Sequence, residues 1–259
     1  MINKKNIKNL LLNNIYNYII LFEDSSSIYN ISSEFFNEYK FFNKEAKNFI
    51  DNNFRESNNN IILGLTNFET YGNQIFVGFE KGDYKTYLAT RNSEYLKFIN
   101  ENNFFLIPII LNNVIITGDN KIIAIKTPEY EELIGNFVNI NDVINEKINF
   151  EKSLNRITNE IIGENIKTLN TQIIGVYKSN YSCIFVFQQH TDYSSDEILN
   201  IFNQNNKDRN KIIDFIENKE DNLGRIIYDG YYSKHVRQAF KFFLKENYNN
   251  YKYINTKLV

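Results

Sequence analysis

The sequence predicts a protein in which strands and helices alternate along the chain, of the α+β or α/β class. Two observations carry this. Short apolar, β-branched or aromatic runs such as Ile61 to Leu65, Gln74 to Glu80 and Cys183 to Gln189 read as strands. Between them lie stretches with apolar residues at helical spacing, most clearly Glu151 to Gly163. The 259 residues suffice for a large core, as one elaborated domain or two small ones.

In chain order, Ile15 to Phe22 reads as a strand. Phe35 to Phe54 reads as a helix through Phe35, Tyr39, Phe42, Ala46, Phe49 and Ile50, broken by Ser57 to Asn60. A polar turn at Gly72-Asn73 separates the next two strands, and Gly82-Asp83 is a further turn signal. Asn92 to Asn103 suggests a short helix. Phe104 to Ile116 is the longest apolar run, and Pro108 within it points to an edge or a bulge. Gly118-Asp119-Asn120 reads as the tight turn of a hairpin between Val114 to Thr117 and Lys121 to Lys126. The helix over Glu151 to Gly163 places Leu154, Ile157 and Ile161 on one face, and Gly163 sits where a C-cap glycine belongs. Thr171 to Lys178 and Cys183 to Gln189 then read as strands, Ser194 to Phe202 and His235 to Asn247 as helices. There is no internal repeat and no Gly/Ser/Pro linker.

Composition excludes several functions. The net charge is −2 and no block is strongly basic, so no nucleic-acid footprint is visible. No apolar stretch approaches the ~20 residues that span a bilayer. Lys4, Lys5 and Lys8 precede an apolar run, as in a signal peptide. Asn13, Asn14 and Asn17 interrupt that run, however, and no small-residue cleavage site follows. Cys183 is the single cysteine, which fits a reducing compartment and a cytoplasmic protein. Asn, Ile and Lys are over-used; their codons are A/T-heavy, so the Asn excess is background. There is no Gly-rich phosphate loop, no Cys/His metal spacing and no nucleophile elbow.

The informative stretch is Thr117 to Gly163. A hairpin with Gly-Asp-Asn at its turn leads to Thr127-Pro128, then Gly135-Asn136-Phe137, a short loop, the amphipathic helix and two strands. This order resembles the Nudix hydrolase fold. The family signature has a Pro-Gly-Gly loop, a Glu, then Arg-Glu-aliphatic-x-Glu-Glu-x-Gly-aliphatic on a helix. With Arg156 on the signature Arg, Glu160 and Gly163 fall on their counterparts without a gap. Counting back, Gly135 falls on a family glycine, Phe137 on the aromatic or aliphatic position after it, and Ile140, Asn141 and Asp142 on the Pro-Gly-Gly positions. The departures are large. Ile148 replaces the first signature Glu, Ile157 the Glu after Arg, Ile161 the second Glu of the pair, and Glu164 the closing aliphatic residue. In the family the helix carboxylates hold a divalent metal against a diphosphate. Mg²⁺ is a hard cation that takes oxygen ligands, and Ile offers none. A second patch, Gly82 to Asn92, is similar to a segment of the UDP-sugar-hydrolysing branch, matching at Tyr84, Lys85, Tyr87, Leu88 and Thr90, with Ala89 and Arg91 departing from it.

The resemblance implies a Nudix-like α/β/α sandwich with a mixed sheet. Residues 1–104 would form an N-terminal α/β extension packed on a Nudix-like domain over 105–259. It implies a protein with a largely erased metal box, catalytically impaired or inactive, that binds a nucleotide or nucleotide sugar. Arg156 and Glu160 are the residual catalytic candidates, with Glu160 and Glu164 as metal candidates. No cofactor is expected if the site is dead, and Mg²⁺ if it is active. The alternatives are an active diphosphatase of UDP-sugar-like substrates with ligands recruited from Asp142, Glu164, Asp192, Asp196 or Glu197, and an interaction module without a small ligand. Bland readings stand beside these. Arg156 and Glu160 form an ordinary i, i+4 surface pair on any helix. His190 and His235 read as ligand-contacting or plain surface residues, Cys183 as buried and inert, and Tyr228, Tyr231 and Tyr232 as a stacking platform or a chance cluster.

Overall fold

The computed structural model describes residues 18–20, 30–35, 48, 50–52, 60–71, 74–89, 91–92, 106–163, 166–178, 182–205 and 211–248. In chain order the elements are β1 (Tyr18–Ile20), β2 (Asn30–Phe35), β3 (Ile61–Tyr71), β4 (Gln74–Asp83), α1 (Tyr84–Ala89), β5 (Ile109–Ile116), β6 (Lys121–Lys126) and β7 (Glu131–Phe137). A 3₁₀ turn (Ile140–Asp142), β8 (Val143–Ile144), β9 (Lys147–Ile148), α2 (Phe150–Ile162), β10 (Thr168–Lys178) and β11 (Cys183–Thr191) follow. The last are α3 (Ser195–Asn205), β12 (Ile212–Glu217), α4 (Glu220–Ile226) and α5 (Lys234–Tyr248). The expected helix over Asn92 to Asn103, apart from non-helical Asn92, and most of that over Phe35 to Phe54 lie outside the described residues; residues 50–52 are helical, but Phe35, expected to open that helix, ends strand β2.

The expected mixed α+β architecture is present. Seven strands form one sheet in the order β1-β10-β11-β5-β7-β6-β12, with β5 and β11 parallel and the other pairs antiparallel. A smaller sheet has the order β2-β4-β3. Strand alternation sorts the core onto two faces. Leu111, Ile115, Phe185 and Phe187 pack with Leu154 and Ile157 of α2, Ile198 and Phe202 of α3, and Leu63, Val77 and Phe79 of the small sheet. Val114, Ile116, Ile184 and Val186 pack on the other face with Leu223 and Ile226 of α4 and Phe240, Phe242 and Phe243 of α5. Those three phenylalanines are fully buried, each contributing roughly 1.5–3 kcal/mol. Both faces are thus covered, and the main sheet is the middle layer.

The hairpin expected at Gly118-Asp119-Asn120 exists but is splayed. Its strands pair at Ile116↔Ile122, and β7 then inserts between them. β7 starts on β6 (Ala124↔Leu133) and crosses to β5 (Asn113↔Ile134 to Ile110↔Phe137). Gly135 permits the crossing, because a Cβ there would meet Asn112 and lie 2.7 Å from the Leu111 carbonyl oxygen. Pro108 stands just ahead of β5 in an isolated bridge to Gly64, where its missing N–H costs no ladder bond.

Candidate functional site

The segment from Asn139 to Glu160 builds the site. Asn139 caps the 3₁₀ turn: its side chain accepts from Asn141 N at 2.9 Å, and Asp142 Oδ2 accepts the Asn139 N–H at 3.0 Å. Asn145 and Glu146, both at positive φ, turn β8 into β9. Asn149 then caps α2 by accepting from Lys152 N, and Gly163 closes the helix at φ 93°, a conformation that favours glycine. The loop is tied to the small sheet where Ile148 N donates to Ser33 Oγ at 2.7 Å.

This geometry brings Arg156 onto Asp142. Arg156 Nε and a terminal nitrogen donate to the two Asp142 oxygens at 2.9 and 2.7 Å, and that second nitrogen also reaches the Phe137 carbonyl at 2.9 Å. The remaining terminal nitrogen lies 2.9 Å from each Glu160 oxygen. Asp142 is fully buried and Glu160 exposed. Burial pulls the Arg156 pKa down, but the hydrogen bonds and charges of Asp142 and Glu160 outweigh it and hold the pKa above its ordinary value.

Beside this ion-paired group is a cleft of about 280 Å³ lined by Asn60, Ile62, Tyr84, Asn136, Phe137, Asn139, Arg156 and Glu160. Its aromatic wall is a cluster: Tyr84 stacks on Tyr87 at 5.7 Å, and both meet Phe137 edge-on at 5.6 and 4.9 Å. Arg91 caps Tyr87, its guanidinium carbon 3.7 Å from the ring centroid. The two sequence patches, Tyr84 to Thr90 and Phe137 to Glu160, therefore meet at one cleft, although Thr90 itself is outside the described residues.

Among the described residues Glu160 is the one carboxylate lining this cleft, and both its oxygens face Arg156. Among the described residues no three His, Cys, Asp or Glu side chains converge as metal ligands. One exposed, ion-paired carboxylate does not fit the oxygen-rich coordination that Mg²⁺ demands. Ile157 is buried and Ile161 partly buried in the core, with buried Ile148 in the same cluster, so this face of α2 is apolar. The other candidates are scattered. Glu164 lies outside the described residues. Asp192 and Asp196 are exposed, and Glu197 accepts from Ser194 N and Oγ. His190 lies 3.2 Å from Gln188. The His235 pKa is lowered by burial and by the charges of Lys234 and Arg91. Cys183 is buried, its thiol pushed up to about 12 by burial, which makes it a poor nucleophile. Tyr228 and Tyr231 are exposed, whereas Tyr232 hydrogen-bonds Glu131.

Sequence reasoning passed over a second cleft of about 350 Å³, whose lining includes Glu131, Asp214, Glu217, Arg225, Asp229 and Tyr232. Glu131 is buried, and its pKa is raised by burial and then by Asp214. The side-by-side Glu131-Glu132 pair was the available signal. The amide groups of Asn60, Asn136 and Asn139 in the first cleft were hidden by the general excess of Asn.

No protein-family model matches the chain, and no curated protein matches it. Solved structures overlap part of it. Tm1382, described as a candidate Nudix hydrolase, aligns at 18% identity and a TM-score of 0.37, covering 53% of this chain and 71% of its own. A MutT protein from Methanosarcina mazei Go1 aligns at 14% identity and a TM-score of 0.36, covering 54% of this chain and 94% of its own. Scores and identities are low, and neither likeness assigns an activity. Among the described residues no helix is long and apolar enough to cross a membrane.

Proposed function

We propose that the chain is a Nudix-like protein that has kept a ligand cleft and lost the metal, binding a nucleotide or nucleotide sugar without hydrolysing it. The observation that carries this reading is the internal use of the charges. Arg156 is bidentate on buried Asp142 and also paired with Glu160, so the signature arginine is committed to carboxylates within the protein and the trio keeps a net negative charge. In-line attack on a diphosphate needs metal-bound oxygens and an activated water. The positions that would hold the metal are Ile148, Ile157 and Ile161.

The UDP-sugar branch is the favoured relative, because Tyr84 and Tyr87 of the matching patch pack on Phe137 at the cleft. Residues 1–104 belong to the same body in this reading. Ile62 and Tyr84 line the cleft, and Ser33 holds the loop before α2.

The test is a thermal-shift and turnover panel of nucleotides and nucleotide sugars, with Mg²⁺ and with chelator. Stabilisation without Mg²⁺ and absence of product support the proposal. Metal-dependent hydrolysis abolished by Glu160→Gln would overturn it.

A further inference from the structure

Charge and hydrogen-bonding capacity are distributed unevenly in the first cleft. Arg156, the cation that lines it among the described residues, is engaged, and so are Lys152, Lys85 and Arg91. Arg156 bonds Asp142, Glu160 and the Phe137 carbonyl. Lys152 Nζ donates to the Asn141 carbonyl at 2.6 Å, and Lys85 Nζ to the Asp51 carbonyl at 3.1 Å. Arg91 lies over the Tyr87 ring. Arg156, Asp142 and Glu160 together carry one positive and two negative charges.

The neutral groups are the opposite. The Asn136 and Asn139 Oδ1 atoms each accept a backbone N–H, from Phe137 and Asn141. That leaves both amide NH₂ groups as donors without a partner among the described residues. The Tyr84 hydroxyl and the Asn60 side chain have none there either.

Resting on the reading of this cleft as a nucleotide-type site, we propose that it recognises the uncharged part of its ligand, the nucleoside base and sugar, through Asn136, Asn139 and Tyr84. Amide donors match the carbonyl oxygens of a base and the oxygens of a sugar. The Tyr84–Phe137 wall offers aromatic surface to the rings. A phosphate meets no uncommitted cation, and the exposed Glu160 repels it. The diphosphate of a nucleotide therefore stays in solvent.

The experiment is calorimetric titration of the full chain in chelator with adenosine, guanosine, cytidine and uridine and with their 5′-diphosphates. The best nucleoside is expected to bind at least as tightly as its diphosphate. Asn136→Ala and Tyr84→Phe should each weaken nucleoside binding about tenfold, the worth of roughly one hydrogen bond. Glu160→Gln should strengthen the diphosphate a few-fold relative to its nucleoside. Backbone-amide NMR shifts on nucleoside addition, which need no variant, should centre on residues 60–62, 84 and 136–139. A diphosphate that binds tenfold or more above its nucleoside and is indifferent to Glu160→Gln overturns this inference but leaves the proposed function standing. If neither nucleoside nor diphosphate binds, or the shifts map elsewhere, both fall.

Discussion

Strand β7 connects two clefts that handle buried carboxylates in different ways. At its C-terminal end, Asp142 is fully buried but receives a bidentate guanidinium and the Asn139 N–H. At its N-terminal end, Glu131 is 5% exposed, faces Asp214 and Asp229, and is supported by the Tyr232 hydroxyl, with Lys126 as a weaker opposing charge. A buried carboxylate is costly unless a cation and hydrogen bonds replace its water. The buried carboxylate of the first cleft is thus paired with a cation, while that of the second is left with a raised pKa. A perturbed acid in a cleft marks a functional candidate, and structural networks produce the same signature.

The largest expected effect comes from adding a carboxylate to the first region without a partner. Ile157 neighbours Arg156 in sequence, but its side chain is 1% exposed and turned into the core. Ile157→Glu forfeits roughly 1.5–3 kcal/mol of burial and adds an uncompensated charge costing several more. We expect urea denaturation to show a loss of at least about 4 kcal/mol by these two contributions. The Ile157→Glu/Ile161→Glu double variant should melt lower still and recover little with Mg²⁺. A double variant that melts normally and is stabilised by Mg²⁺ through mass action would mean that the face is open.

Next in size is Asp142→Asn. It keeps the shape, removes the charge and leaves Arg156 poorly compensated. Breaking a buried pair costs about 3–5 kcal/mol, and the lower end applies because the Arg156 side chain is 20% exposed. A loss below about 1 kcal/mol in the same denaturation would show that pairing is not what compensates this buried carboxylate.

These two residues also show what was readable in advance. Helix α2 was legible because Leu154, Ile157 and Ile161 repeat at helical spacing and Gly163 ends the run. The role of Asp142 was not. Its partner lies fourteen residues on, and only the capped 3₁₀ turn and the β8–β9 hairpin bring the two together, so the sequence offered Asp142 as a metal ligand instead. β7 was missed because Glu131-Glu132 and Gly135 break the apolar alternation, and its crossing from β6 to β5 is a tertiary fact. β12 was passed over because Asp214 interrupts a short run and Ile212 is 58% exposed, as an edge position allows. The meeting of Tyr84 with Phe137 was not legible, since some fifty residues separate them and the contact is tertiary.

A smaller effect should follow pH at the second cleft. A carboxyl whose pKa rises on folding binds its proton more tightly in the native state. Its contribution favours folding below the ordinary carboxylate pKa and is lost as pH climbs through the raised native value. Wild type should therefore lose stability over that rise relative to Glu131→Gln, with the two curves separating toward neutrality. Tyr232→Phe should cost about 1.5 kcal/mol at neutral pH, because it removes a hydrogen bond to a charged group. Superimposable wild-type and Glu131→Gln curves from pH 4 to 8, a span of roughly the carboxylate-to-neutral range, would remove the contrast between the clefts.

The smallest effect belongs to Glu160, and it tests where the buried network ends. Glu160 shares the guanidinium with Asp142, yet its side chain is 47% exposed against 0% for Asp142. An exposed i, i+4 pair is worth about 0.3–0.5 kcal/mol, and the order here, with the cation N-terminal, is the weaker one. Glu160→Gln should therefore lose at most about 0.5 kcal/mol, and that loss should vanish in about 1 M salt, where the Debye length falls to about 3 Å. The Asp142→Asn loss should persist at the same salt, because the buried pair is screened little. If Glu160→Gln cost as much as Asp142→Asn and resisted salt, Glu160 would belong to the buried network. The guanidinium would then be shared equally between two carboxylates, and Glu160 would lose the exposed character on which its repulsion of phosphate depends.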